Sequence, residues 1–153
     1  MRCPRTTAAA CHVLRESISR LCIADHGNDP VMLNAWLANK TPEMVAAWAA
    51  QEANSLLLAV EGDAVLAVGS VTDAGEITLN YVTPEARFRG VSRALLRALE
   101  ARAVERGNSR CTLTSTATAH RFYRSAGYID EGEPTKFGMA GGYRMSKEIV
   151  AEL

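Results

Sequence analysis

The sequence has no surplus of either charge: 17 Lys and Arg balance 17 Asp and Glu, giving a formal net charge of zero over 153 residues. Such a chain lacks the broad basic field that nucleic acid or an anionic membrane surface needs, so neither is expected as a partner, although a local basic patch stays compatible. Cysteine is scarce: Cys3, Cys11, Cys22 and Cys111 make no C-x-x-C pair and have no histidine at zinc-finger spacing, so no metal site is expected. A chain of this length buries a core without disulfide staples. The apolar start is cut short by His12 and Arg15, too soon for a secretory core or a membrane span. Reduced cysteines and a cytoplasmic setting are the expectation. No repeat, low-complexity tract or Pro/Gly/Ser linker divides the chain, so residues 1–153 are expected to form one domain. Neither G-x-x-x-x-G-K-[ST] nor G-x-G-x-x-G occurs, which removes the P-loop and dinucleotide folds.

What is present divides by period. Apolar residues at helical spacing (Val13, Leu14, Ile18, Leu21, Cys22) predict a helix over residues 8–23. A loop over 25–30 and short helices over 31–38 and 42–51 follow, the last with Thr41 as N-cap and Pro42 at its first position. Residues 56–60 and 64–71 around Glu61-Gly62-Asp63 read as a hairpin. A third strand spans 76–82, with Ile77, Leu79 and Tyr81 on one face and Thr78, Asn80 and Val82 on the other. A helix over 92–106 stopped by Gly107, a strand over 110–114, a helix carrying Ala119, Phe122, Tyr123 and Ala126, and a strand over 143–149 complete the order. Thr116 is placed to cap the second of these helices. This is an α/β chain of the α+β type, a mixed sheet flanked by helices rather than a doubly wound one.

The most informative stretch is Tyr81-Val82-Thr83-Pro84 followed by Arg87-Phe88-Arg89-Gly90-Val91-Ser92-Arg93. A strand end, a basic turn and a helix start bring unpaired N–H groups and the positive end of a helix dipole together, which suits an anion. Arg87, Arg89 and Arg93 either add charge to that seat or are solvated surface arginines. Farther on comes Ala119-His120-Arg121-Phe122-Tyr123-Arg124-Ser125-Ala126-Gly127-Tyr128.

Taken in order, these segments resemble the V-x-P-x-x-R-x-x-G-x-[GA] and A-x-x-F-Y-x-x-x-G-[FY] patterns of the GNAT superfamily, acetyl-CoA-dependent N-acetyltransferases. The resemblance covers roughly residues 76–128 and implies a mostly antiparallel central sheet whose strands splay at the cofactor site. It implies that the backbone of Asn80, Tyr81 and Val82 pairs with the pantetheine arm of acetyl-CoA. The amides of Phe88, Arg89, Gly90, Val91, Ser92 and Arg93 would cradle its pyrophosphate. Ser92 stands where the family has Gly or Ala, and Thr116 where many members place a cofactor-contacting Asn. The acceptor would be a small-molecule or peptide amine. A homodimer is common in the family, and the sequence leaves oligomeric state open.

The same resemblance implies that Tyr123 is the general acid: a phenol of pKa ~10 is protonated at neutral pH and can deliver to a thiolate of pKa ~8.5. The alternative is that Tyr123 only packs beside Phe122. The Val82 N–H would polarise the thioester carbonyl. Glu76 matches the base of the histone-acetylating branch, but a Glu after Asp-Ala-Gly is also a common solvated strand start, and a water chain can serve instead. Cys111 occupies the place of another branch's glutamate. His120 is expected on the surface. His26, Arg15, Glu16, Trp36 and Lys40 fall in the region that borders the acceptor in the family. The opposing functional expectation is a module that binds acyl-CoA without catalysis; longer acyl chains or another acceptor atom form a third. The Gly-rich stretch over 137–142 is read as a turn or a flap, and residues 1–5 as a short edge strand.

Overall fold

The structure, a computed structural model, describes residues 4–133, 135–137 and 140–149, with the side chains of 5–133 and 142–149. Helix α1 (Pro4–Leu21) buries Ala10, Val13, Leu14 and Ile18 along one stripe. Pro4 at its first turn explains why residues 4 and 5 are helical and not the expected strand; residues 1–3 lie outside the described residues. The short α2 (Ile23–His26) takes in part of the expected loop and stops at Gly27, whose φ of 58° is left-handed. Helix α3 (Pro30–Leu37) starts where the Val31 N–H donates to Asp29, and α4 (Pro42–Ala50) where the Met44 N–H donates to Thr41 at 3.2 Å. Each combines a polar N-cap with Pro at the first position.

Strands β1 (Asn54–Glu61), β2 (Ala64–Thr72) and β3 (Glu76–Val82) form an antiparallel meander. A 3-10 turn at Pro84–Ala86 leads to α5 (Val91–Glu105), then β4 (Arg110–Ser115) and α6 (His120–Ser125). The chain continues through β5 (Ile129–Asp130), β6 (Thr135–Phe137) and β7 (Ala140–Glu148). The sheet order is β1-β2-β3-β4-β7-β5, with β6 against the start of β7. All pairs are antiparallel except β3 with β4. β5 and β6 were not expected from the sequence. The Gly-rich stretch is bounded by the pair Phe137 and Ala140; residues 138 and 139 lie outside the described residues.

α5 and α6 cover one face of the sheet with Leu95, Leu96, Leu99 and Tyr123, while α1 and α4 cover the other with Val13, Leu14 and Val45. α5 lies so close on β2 that a Cβ at Gly69 would come within 2.9 Å of Leu99 Cδ1.

Two irregularities in β3 shape the sheet around its upper end. Ser70 pairs with Leu79 and its neighbour Val71 with Ile77, so Thr78 is an unopposed bulge residue. The bulge corrects the expected faces: Ile77 and Val82 pack with the α5 cluster, Leu79 and Tyr81 with the α1 cluster. Glu76, alternating with Ile77, therefore does not share the face of Val82. The second irregularity is that β3 pairs with β4 only at Glu76 with Thr112 and Ile77 with Leu113. Beyond those pairs the two strands part, as the splayed arrangement requires.

Candidate active site

A cavity of about 590 Å³ occupies the gap where β3 and β4 part. It passes through the sheet: Leu21 and Cys22 line it on the α1 side, Phe122 and Tyr123 on the α6 side. Between them lie Asn80, Tyr81 and Val82 of β3. The Thr83 N–H donates to Leu66 O at 2.8 Å, so alternation turns the Val82 N–H away from β2 toward the gap.

One end of the cavity is built by the basic turn. α5 begins at Gly90, with φ of 79°, no side-chain cap and no acidic residue in its first turn. Phe88 is also left-handed, at φ 67°, and 89% exposed. A Phe in that conformation costs ~1–2 kcal/mol, strain of the kind kept where a turn must present its amides to a ligand. Arg93 lies in the first turn of α5, where a cation opposes the helix dipole unless an anion is held there. It donates to Ser125 Oγ at 2.9 Å and sits 5.6 Å over the Phe122 ring, while the Arg87 guanidinium sits 4.5 Å over Phe88. Arg87, Arg93 and Arg121 line the cavity, and among the described residues none has a carboxylate partner. Val91 and Ser92 line it as well. Arg89 is different: it pairs with Glu61 at 2.8 Å, outside the lining.

At the crossing, Tyr123 is 6% exposed. Burial pushes its phenol up to about 12, and the Asn80 side chain pulls the other way. Asn80 Oδ1 is buried without a hydrogen-bond partner. Such an acceptor costs ~1–3 kcal/mol, and an incoming N–H donor would satisfy it. Thr116 lines the cavity and accepts the Ala119 N–H at 3.1 Å, closing the turn before α6; it does not cap the helix as expected, because Ala119 is the N-cap and no side chain caps it.

On the α1 side, burial, with Asp25 adding to it, pushes the Cys22 thiol up to about 12. Burial likewise raises the Tyr81 phenol above its ordinary range. Asp25 accepts the Ala117 N–H at 2.6 Å, the Thr118 N–H at 3.2 Å and the Thr118 hydroxyl at 2.5 Å, tying α2 to the turn after β4.

Several expected residues fall elsewhere. Glu76 is exposed at the foot of β3 and does not line the cavity. His26 is buried with both ring nitrogens used: Nε2 donates to Ile18 O at 2.8 Å and Nδ1 accepts the Asn28 N–H at 3.0 Å. His120 is held by Asp130 at 2.6 Å and stacked on Tyr143, outside the lining. Arg15 donates to Leu37 O and Lys40 O. Cys11, Cys22 and Cys111 are free and buried. Sequence reasoning missed Ser17, Leu21, Arg121 and Ser125 as cavity residues; Arg121 and Ser125 lay inside a recognised motif, two before and two after Tyr123. Among the described residues no cluster of His, Cys, Asp or Glu could hold a metal ion, and no helix is long and apolar enough to cross a membrane.

Solved structures share this architecture. A GCN5-related N-acetyltransferase from Rhodopseudomonas palustris superposes with a TM-score of 0.82 at 22% identity, over 96% of this chain and 92% of its own. The PaiA N-acetyltransferase of Thermoplasma acidophilum, in complex with coenzyme A, gives 0.77 at 17% identity, over 95% and 94%. The ribosomal-protein-S18-alanine N-acetyltransferase of Escherichia coli gives 0.65 at 20%, over 97% and 90%. Among curated proteins no sequence matches. Residues 17–149 match the family model described as the acetyltransferase (GNAT) domain, which spans both motifs, the splayed strands and the final strand. The chain belongs to the GNAT acetyltransferase family.

Proposed function

We propose that the protein transfers an acetyl group from acetyl-CoA directly to a primary amine, with both substrates bound together. The observation that carries this is the cavity itself. It runs from an uncapped, acid-free helix start through the splayed strands to Tyr123 and out on the α1 side. The coenzyme A held by the Thermoplasma neighbour supports the same use of this fold.

Acetyl-CoA supplies an acyl group already activated as a thioester, so the protein needs no nucleophile of its own. The N–H groups of residues 88–93, with Arg87 and Arg93, suit the phosphates, because charge-assisted hydrogen bonds at a helix N-terminus are strong. The gap edge of Asn80, Tyr81 and Val82 suits the amide-bearing arm, and the orphaned Asn80 oxygen offers it a further acceptor. The Val82 N–H polarises the thioester carbonyl. Tyr123 keeps its proton at neutral pH and gives it to the leaving thiolate. The amine loses its proton to water, since Glu76 lies off the cavity. Most of the acceleration comes from holding two substrates in line.

The test is calorimetry with acetyl-CoA, followed by single-turnover release of free thiol in the presence of an amine panel. Binding with amine-dependent thiol release is expected. No heat of binding, or thiol release indifferent to every amine, refutes the proposal.

A further inference from the structure

We infer that the acceptor is a small monoamine with apolar substituents, and that the cavity turns away polycationic amines. This rests on the acetyl-transfer proposal and names the substrate class for the same site. With the phosphate seat at Gly90 and Arg93 and the proton donor Tyr123 at the crossing, the amine has to arrive from the α1 side. The walls there are Ser17, Leu21, Cys22, Leu79 and Tyr81: small or apolar groups and one phenol.

Among the described residues no carboxylate lines the cavity. The nearby acid, Asp25, is already bound by two backbone N–H groups and one hydroxyl. Residues 134–141, whose side chains are not described, include no Asp or Glu, so that stretch brings no carboxylate. The charges that do line the cavity are the cations Arg87, Arg93 and Arg121. A second ammonium entering the α1 side would give up its water with no lining carboxylate to replace it. A monoamine brings no second ammonium and so avoids that cost. Its apolar substituent gains contact with Leu21 and Leu79. The cavity, at about 590 Å³ for both substrates, favours a small acceptor.

The experiment measures kcat/KM for 2-phenylethylamine, hexylamine, spermidine and kanamycin with the wild-type protein saturated in acetyl-CoA. Each monoamine should exceed each polycation at least tenfold. A smaller or inverted ratio overturns the inference, as does turnover of neither monoamine by a protein that binds acetyl-CoA. Absence of coenzyme binding overturns the acetyl-transfer proposal as well, so the two failures are distinguishable. Leu21→Glu installs the missing carboxylate and should narrow the ratio at least tenfold. An unchanged ratio in a variant that still binds coenzyme counts against the inference, and if that variant fails to fold the wild-type panel decides.

Discussion

Ser70 Oγ and Thr78 Oγ1 meet at 2.5 Å where the pairing of β2 with β3 slips by one residue. The slip divides β3 into a lower part facing one way and an upper part facing the other. Glu76 belongs to the lower part, below the point where β3 leaves β4. A general base has to reach the amine directly or through one water, and its loss costs ~10²–10⁴ in rate. Glu76→Gln is therefore expected to change kcat/KM by less than about threefold, as measured by steady-state thiol release. A loss of a hundredfold would return the base role to Glu76.

Tyr123 differs in kind because it lines the cavity. Tyr123→Phe keeps the ring packing against Phe122 and Tyr128 and removes only the hydroxyl. It should lower kcat by ~10²–10³ while the calorimetric Kd for acetyl-CoA stays within about threefold. The raised phenol also fixes the sign of the pH dependence. A tyrosine at its ordinary pKa would lose the acid form near pH 10; one raised to about 12 by burial keeps it. The wild-type kcat/KM should therefore rise with pH as the amine deprotonates and show no fall below pH ~10. A descending limb centred near pH 9 would remove Tyr123 as the acid.

The arginines of the basic turn should separate in binding. Arg87→Ala and Arg93→Ala each remove a cation that lines the cavity and has no carboxylate partner among the described residues. Each should weaken acetyl-CoA by about tenfold or more, since a charge-assisted hydrogen bond is worth ~1.5–3 kcal/mol. Arg89→Ala breaks only the exposed pair with Glu61 and should alter Kd by less than about twofold. Titration calorimetry at low and high salt reads both effects, and the difference should shrink as salt rises. Equal losses at all three positions would mean the turn rearranges around the ligand.

What the sequence disclosed and what it hid follow from range. The cap of α4 depends on Thr41, Pro42 and Met44, neighbours in the chain, and was legible. The α5 stripe and the β1–β2 hairpin were legible for the same reason. Asp29 before Pro30 was an equally local capping signal, and α3 begins at Pro30, one residue before the expected start. β5 and β6 were invisible because two or three residues carry no period, and their partner is β7, later in the chain. The bulge at Thr78 was hidden in an alternation that looks regular. At the site, the cavity-lining Tyr123 and Gly90 lay within the motifs, whereas the pairing of Arg89 with Glu61, 28 residues away, had no local signal. The clasp from Asp25 to Thr118 spans 93 residues and has no local signature.

Lys40 offers a test of stability away from the cavity. It is 7% exposed, and its ammonium donates only to Asn39 Oδ1 at 2.6 Å and Trp36 O at 3.3 Å, with no carboxylate among the described residues. Burial lowers its pKa from the ordinary 10.5. The unfolded chain therefore holds this proton more tightly than the folded one. Between the lowered folded value and 10.5 the unfolded state binds more protons, so stability contributed by this site rises with pH across that window and is flat below it. Lys40→Met keeps the buried stem and removes the charge. It should raise stability at pH 7 by about 0.5–1 kcal/mol, and the gain should shrink toward pH 10 as wild-type Lys40 becomes neutral in the folded state. Urea midpoints of the two proteins at pH 7, 9 and 10 measure this difference directly. A gain that grows with pH would mean that the buried ammonium stabilises the junction of α3 and α4.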